Sequence, residues 1–332
     1  MQQNQAVKYE ASSMPCNLCG GSDVSVLATH SRSGALLRTV ICKQCGLLWS
    51  DPFPHDPRHY YEEDYRVEYK NTYTPRPKHV LRAGKVALAR YQKIKHLLAD
   101  RKTVLDVGTG GGEFAYLLKL LGHDQHGIEP NKGYAEYSVA EYGLNLQIGF
   151  IQEGQFNNDS FDVITIWHVL EHIEDPHFVL SKLCSLLKSQ GILVVEVPNV
   201  EAICQAPKST FHEAHLFNFN LETLRKMGEK AGLFEDSHLF SDDAGNVTMF
   251  FRKAAPDAIK TEDWSIAGNA NRITDIVQGH TDLKHYTSTT PYLRFLHRMA
   301  RAASEKNTVK GFESNKNLLD QLYQNVSSNY CK

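Results

Sequence analysis

Short apolar runs and stretches of three- and four-residue periodicity alternate through the middle of the chain. The runs predict strands at Thr103–Val107, Asp124–Ile128, Leu146–Ile148, Asp162–Trp167, Ile192–Val197, Glu235–Phe240 and Asn246–Arg252. The periodic stretches predict helices at Glu113–Leu121, Lys132–Tyr142, Pro176–Leu187 and Leu221–Lys230, with Pro176 at a helix start and Gly232 just past a helix end. Strand and helix alternating in this way predict an α/β fold, a mostly parallel sheet covered on both faces. The last two strands, separated by SDDAG, read as an antiparallel hairpin.

Upstream, Val80, Ala87, Tyr91, Ile94 and Leu98 recur at helical spacing between Pro77 and Leu98. Lys78, Arg82, Lys85 and Lys93 are expected on the opposite, solvated face, with a substrate phosphate as the alternative partner. Beyond Ala254 the alternation stops. Residues 255–332 read as a helical extension, with a start at Thr290-Pro291 and an apolar stripe of Tyr292, Phe295, Met299 and Ala302. Three roles stay open for it: packing on the core, forming a homodimer, or covering an acceptor site.

The first 50 residues carry Cys16-x-x-Cys19 and Cys42-x-x-Cys45, separated by 22 residues, with a glycine after each pair. Glycine allows the tight turns that aim two thiolates at one ion, and four thiolates close a tetrahedral shell. A structural zinc ribbon is therefore expected at Cys16, Cys19, Cys42 and Cys45. Residues 51–101 begin proline-rich and then carry Tyr60, Tyr61, Tyr65, Tyr69 and Tyr73. This segment reads as a linker packed on a neighbour or as an aromatic lid. Cys184, Cys204 and Cys331 are isolated and read as packing or surface residues.

Bulk properties narrow the class. The 332 residues suffice for about two domains, and 42% hydrophobic with 22% charged residues is ordinary for a globular protein. No apolar run is long enough to span a bilayer, and the polar N-terminus lacks a signal-peptide core, so a cytoplasmic location is expected. A formal net charge of −2 argues against a nucleic-acid partner.

The stretch TVLDVGTGGGEF, Thr103 to Phe114, carries the most chemistry. A strand ends in Asp106, a glycine cluster follows, and a helix opens at Glu113. Such a turn seats a nucleotide-like ligand on backbone N–H groups. The acid precedes the glycines, and a second acid, Glu129, ends the next strand. That order departs from a dinucleotide fingerprint. With GIEPN, FDVITIWHVLEHIEDP and GILVVEVPN in sequence after it, the block resembles the class I S-adenosylmethionine (SAM) dependent methyltransferases over roughly Lys102 to Lys253. The resemblance implies a Rossmann-like, doubly wound seven-stranded sheet with an antiparallel closing hairpin over residues 102–254. It implies SAM as methyl donor. Asp106 would face its methionine end, Gly108 and Gly110 would let the backbone approach, and Glu129 would hold the ribose diol. Pro130 would lie on the adenine, with Phe150 a further adenine candidate and Trp167 beside the cofactor.

Trp167–His172 lies at the carboxyl end of a strand, where ligands of open α/β sheets sit. If helical there, His168, Glu171 and His172 share one face. They could handle a proton near the acceptor, brace the loop, or hold a divalent ion. Ubiquinone-pathway O-methyltransferases, which this region resembles, bind such an ion through E-x-x-E-H. Here His168 stands in place of the first glutamate. His212 and His215, in STFHEAHLFNFN, form a second histidine cluster that resembles the acceptor loop of small-molecule methyltransferases. The ribbon fused to this core resembles bacterial polysaccharide and natural-product tailoring enzymes, which implies a sugar or sugar-nucleotide acceptor, methylated at a hydroxyl or at carbon. Two alternatives remain at this level: an RNA methyltransferase using the ribbon to grip RNA, and a non-catalytic interaction protein.

Overall fold

A computed structural model describes residues 14–54, 75–255, 262–309 and 311–330. The five tyrosines of the expected linker or lid, and Cys331, lie outside the described residues. In chain order the strands are β1 (Val24–His30), β2 (Leu36–Cys42), β3 (Leu48–Ser50), β4 (Thr103–Val107), β5 (Asp124–Glu129), β6 (Leu146–Ile148), β7 (Phe161–Trp167), β8 (Leu187–Pro198), β9 (Phe217–Asn218), β10 (Leu233–Phe240) and β11 (Asn246–Lys253). The helices are α1 (Pro77–Ile94), α2 (Glu113–Leu120), α3 (Lys132–Tyr142), α4 (Pro176–Leu186), α5 (Leu221–Lys230), α6 (Asn269–Gly279), α7 (Asp282–Thr287), α8 (Thr290–Thr308) and α9 (Asn315–Tyr330).

The large sheet has the order β10-β11-β8-β7-β4-β5-β6. Strands β4 to β8 pair in parallel, and β11 runs antiparallel to both β8 and β10. This is the expected Rossmann-like, doubly wound seven-stranded sheet with its antiparallel closing hairpin. The chain winds from β4 outward through β5 to β6, then returns to the other side of β4 at β7. That reversal opens a crevice at the carboxyl ends of the strands. Residues at the centre of the sheet are apolar on both faces: Leu105, Ile164, Ile166, Leu193, Val195 and Val197 are all buried.

The local signals explain the helix boundaries. The Asp175 side chain accepts from Phe178 N ahead of Pro176, and Asn131 accepts from Tyr134 N at the start of α3. Asn220 and Thr223 close a reciprocal capping box on α5. Strand β8 begins at Leu187, five residues before the predicted start. The polar Lys188-Ser189-Gln190 stretch hides that extension in the sequence.

A second sheet has the order β1-β2-β3-β9. Its last member comes from far along the chain: Trp49 pairs with Phe217, and Leu48 with Asn218. The cysteine-bearing segment is thus tied to the loop that carries His212 and His215. Leu18, Val40 and Trp49 share one apolar cluster with Val195, Phe217 and Phe219.

The extension splits in two. Helix α9 packs on α1, burying Leu318, Leu319 and Tyr323, and the Tyr323 hydroxyl donates to Glu113 O. Helix α8 contributes nothing between Thr290 and Arg301 to a buried cluster. The basic face of α1 differs from expectation. Arg82 donates to both oxygens of the fully buried Glu305, with Lys78 3.7 Å from the same carboxylate. Lys93 reaches Glu196 and Thr248 at the edge of the crevice. These lysines and this arginine are thus bound to groups of the chain itself; Lys85 remains exposed.

Candidate active site

A cavity of about 320 Å³ lies in the crevice, within the range of small-ligand sites. One side is formed by Val107 to Gly111, Ile128 to Asn131, Tyr134, and Gly149 to Gln152; the other by Arg90, Trp167, His168, Val169 and His172. Gly108 and Gly110 adopt φ of +73° and +61°, a left-handed backbone that side chains resist. At Gly108 a Cβ would also lie 2.4 Å from Val169 Cγ2. The constraint there is thus an internal neighbour as much as a ligand.

Glu129 is held by the turn it faces. Its Oε2 accepts from Gly110 N at 2.7 Å and its Oε1 from Asn131 N at 3.0 Å. Each oxygen keeps a further lone pair, which is what a diol needs. Pro130, Phe150 and Trp167 also line the cavity. Asp106 does not. Its Oδ1 accepts from Thr165 at 2.7 Å, and burial pushes its carboxyl up to about 6 despite that hydrogen bond and the Arg90 charge. That bond ties β4 to β7 beside the glycine turn.

Two cationic and aromatic groups close the opposite wall. The Arg90 guanidinium stacks 5.1 Å over the Trp167 ring. Its buried Nε has no hydrogen-bond partner. Burial pulls its pKa down, opposed by the charges of Asp106, Glu196, Glu113 and Glu171. A buried, under-bonded guanidinium in a cavity is suited to a carboxylate or phosphate.

The motif after β7 does not form the expected continuous helix. His168 sits at φ +56°, donating its N–H to Glu196 O, and only Leu170–His172 makes one 3-10 turn. The strand's hydrogen bonding continues one residue too far for a helix to begin. Strain at a non-glycine residue of this kind recurs at functional sites. His168 and His172 nevertheless converge on one carboxylate: Glu171 Oε1 lies 3.5 Å from His168 Nδ1 and 3.7 Å from His172 Nε2. His168 Nε2 also lies 3.3 Å from Glu196 Oε1. Burial opposes a charge on His168, but Glu171 and Glu196 outweigh it and raise its pKa to about 9. At neutral pH His168 therefore holds its proton and can orient or donate to an acceptor.

Glu171 is 1% exposed, and among the described residues its oxygens meet only the His168 and His172 rings, at 3.5 and 3.7 Å, with no donor in good hydrogen-bond geometry. Burial alone would raise its pKa, yet His172 and His168 hold it down at about 2. The His172 Nδ1 donates to Ala214 O at 2.6 Å, which turns Nε2 toward the carboxylate. His215 completes the group. Its ring lies 4.9 Å from that of His172, and Glu171, His172 and His215 each offer a ligand atom within 4.8 Å of the others. Burial, with the His172 charge next, lowers His215 to about 3. His212 stacks on His215 at 5.0 Å, its pKa lowered to about 4 by burial and by Arg32. His212 and His215 lie behind His172, not in the cavity wall.

Sequence reading passed over Arg90, Glu196 and Glu213. Glu196 was visible as an acid inside the apolar run GILVVEVPN. Arg90 was hidden among the other cations of α1. Glu213 accepts from both Ser31 and Ser33, tying the histidine loop to the ribbon.

In the ribbon, Cys16 Sγ lies 3.4 Å from Cys45 Sγ, and Cys19 Sγ 3.4 Å from Cys42 Sγ. All four sulfurs fall within 4.8 Å of one another, and no disulfide joins them. A zinc tetrahedron with ~2.3 Å Zn–S bonds has S–S edges of about 3.8 Å, so the donor set fits that ion.

Residues 80–236 match the family model described as a methyltransferase domain. The chain is 30% identical over 151 residues to a ubiquinone biosynthesis O-methyltransferase of Aeromonas salmonicida, a match covering 40% of this chain and 63% of that protein. A second protein of that name, from Azorhizobium caulinodans, is 25% identical over 136 residues, 37% of this chain and 54% of its own length. The matched segments thus span between half and two thirds of these relatives. Among solved structures, the CcbJ methyltransferase of Streptomyces caelestis aligns with a TM-score of 0.46 at 15% identity, over 60% of this chain and all of its own. A SAM-dependent methyltransferase of Archaeoglobus fulgidus aligns at 0.43 and 19%, over 57% and 98%. The matched residues include Gly108, Glu129 and His168 of the cavity wall. Among the described residues no helix is long and apolar enough to cross a membrane.

Proposed function

We propose that this chain transfers a methyl group from SAM to a small-molecule acceptor, at a hydroxyl or carbon of a sugar or sugar-nucleotide. One observation carries the proposal: a single cavity joins Glu129 and the glycine turn to the histidine–glutamate group. Glu129 would hold the ribose hydroxyls, Pro130 and Phe150 the adenine, and Arg90 the carboxylate of the methionine end. SAM, once bound, supplies an electrophilic methyl group, so the chain's task is alignment, water exclusion and proton removal. His172, through Nε2, is placed to take the acceptor's proton while Glu171 stabilises the resulting imidazolium. His168, already charged, would orient the acceptor oxygen.

The sugar class rests on the likeness of the ribbon-bearing architecture to tailoring enzymes. The relatives named for ubiquinone biosynthesis favour a phenol instead, and an acceptor screen containing nucleotide-sugars and catechols separates the two. Calorimetry tests the cofactor assignment. Glu129→Ala removes charged hydrogen bonds worth roughly 1.5–3 kcal/mol, or about 10- to 150-fold in SAM affinity. Unchanged affinity would refute the placement.

A second reading follows from the unsatisfied carboxylate. Glu171, His172 and His215 would hold a divalent ion, which would supply Lewis-acid activation of the acceptor oxygen. His172 and His215 would ligate it through ring nitrogens, the first already oriented by Ala214 O. Loss of transfer on dialysis against a chelator that leaves the cysteine-bound zinc in place, restored by magnesium or manganese, separates this reading from simple proton transfer. In the ribbon, Cys16, Cys19, Cys42 and Cys45 would hold a structural zinc.

A further inference from the structure

Helix α8 carries its polarity the wrong way round for a surface helix of a globular protein. Such helices turn apolar residues inward. Here the attachments are polar. Arg294 donates from Nη1 to Cys204 O at 2.8 Å and meets Asp243 Oδ2 at 3.2 Å. One turn from the far end, Glu305 is fully buried against Arg82. Tyr292, Leu293, Phe295, Leu296 and Met299 are each more than half exposed. They recur at i, i+3, i+4 and i+7, the spacing of a helix-packing stripe. Leu283 and Tyr286 of α7 extend the patch, and the Tyr292 hydroxyl donates to Tyr286 O to join the two helices. Seven of the sixteen large exposed apolar residues among those described fall within Leu283–Met299.

We propose that this face is an isologous dimer interface, its occupant the same face of a second copy of the chain. Three points select that occupant. An isolated helix of this length draws little stability from its own hydrogen bonds and needs a packed apolar face. The patch is large: three half-exposed aromatics at ~150–250 Å² per side chain, plus four aliphatic chains, expose on the order of 700 Å². That exceeds the ~300–600 Å² of a typical monomer's largest patch and approaches the ~800 Å² each partner gives to a stable interface. The stripe itself carries no charge: the helix's cations Arg294, Arg298 and Arg301 gather in a cleft with Asp243, where Arg294 donates to Cys204 O and Arg301 faces Glu305 at 3.7 Å. A stripe paired with its own copy needs no complementary charge and satisfies twofold symmetry by construction.

Sedimentation and light scattering on the full chain test this. The wild type is expected at twice the 37.5 kDa of one chain at micromolar concentration. Phe295→Glu with Leu296→Glu, both at exposed positions, should yield monomer. Tyr292→Ser with Met299→Ser, which adds no charge, should weaken the dimer by at least tenfold. Leu36→Glu, exposed in the ribbon, should leave it intact. A monomeric wild type overturns the proposal, as does a dimer that survives both double variants. Co-sedimentation of a monomeric wild type with phosphatidylglycerol vesicles, abolished by Phe295→Glu with Leu296→Glu, would assign the face to lipid and equally overturn it.

Discussion

The glycine side of the cavity comes from two short neighbouring stretches, Val107–Gly111 and Ile128–Tyr134, each springing from the end of a parallel strand. The histidine side is gathered from across the chain. Arg90 comes from α1 and His168 and His172 from the turn after β7, and behind His172 stands His215, on a loop held by the cysteine-bearing segment through the Trp49–Phe217 pairing. Ser50 adds to that hold, its N–H donating to Leu216 O and its hydroxyl to His215 O. The first side is specified by local backbone rules, and the second by long-range contacts. A cysteine-bearing segment that reads as an independent module thus braces the loop carrying His212 and His215.

The contrast predicts where damage should go. If Cys16, Cys19, Cys42 and Cys45 hold zinc as proposed, its removal by chelation or by Cys42→Ser should have the largest effect. Structural zinc sites contribute apparent energies of about 10–16 kcal/mol, so the cysteine-bearing segment should lose its fold. The brace on the Ala214–His215 loop goes with it, and with Ala214 O the orientation of His172; a displacement of about 1 Å at a reacting group costs on the order of 100-fold in rate. SAM affinity, set on the glycine side, should stay within a few fold. Parallel loss of SAM binding would show that the two sides are one unit.

The same contrast decides what was legible. Strand and helix order, the turn at Gly108–Gly112, Glu129 and the four cysteines were readable because each depends on residues close in sequence. The charge state of His168 was not, since Glu196 reaches it from a neighbouring strand. Neither was the coupling of Lys93 to Glu196, because a cation on a helix surface looks solvated until the tertiary fold folds it over a crevice. The pairing of β3 with β9 spans more than 160 residues and has no local signature. Asp106 shows an intermediate case: its position was legible, but its contact was not. It faces Thr165 rather than the cavity.

Asp106 also gives a pH test confined to the glycine side. Its folded pKa of about 6 stands above the ordinary 3.8, so the folded state holds a proton that the unfolded state has released. Stability is then full below pH 3.8 and falls as pH rises toward about 6, by roughly 3 kcal/mol at most. Asp106→Asn should flatten that part of the profile in urea unfolding. It should weaken SAM less than Glu129→Ala does, since Asp106 does not line the cavity. A profile unchanged by the substitution would mean that Asp106 ionises normally despite its burial.

The smallest predicted effect is the most selective. Glu213 accepts from the Ser31 and Ser33 hydroxyls, while Arg32 N donates to Phe211 O, so three consecutive ribbon residues clamp the histidine loop. Glu213→Gln keeps the shape and an acceptor but removes the charge that strengthens both bonds. The expected loss is about 1 kcal/mol, or roughly fivefold in kcat/KM for the acceptor. Zinc content and SAM affinity should not change, because neither the thiolates nor Glu129 touches this clamp. Glu213→Ala should lower acceptor kcat/KM further, and Ser31→Ala with Ser33→Ala should match it, since both remove the same pair of bonds. If the serine double variant is silent while Glu213→Ala is not, the carboxylate acts on the neighbouring His212, 3.8 Å away, and the clamp is not what holds the loop.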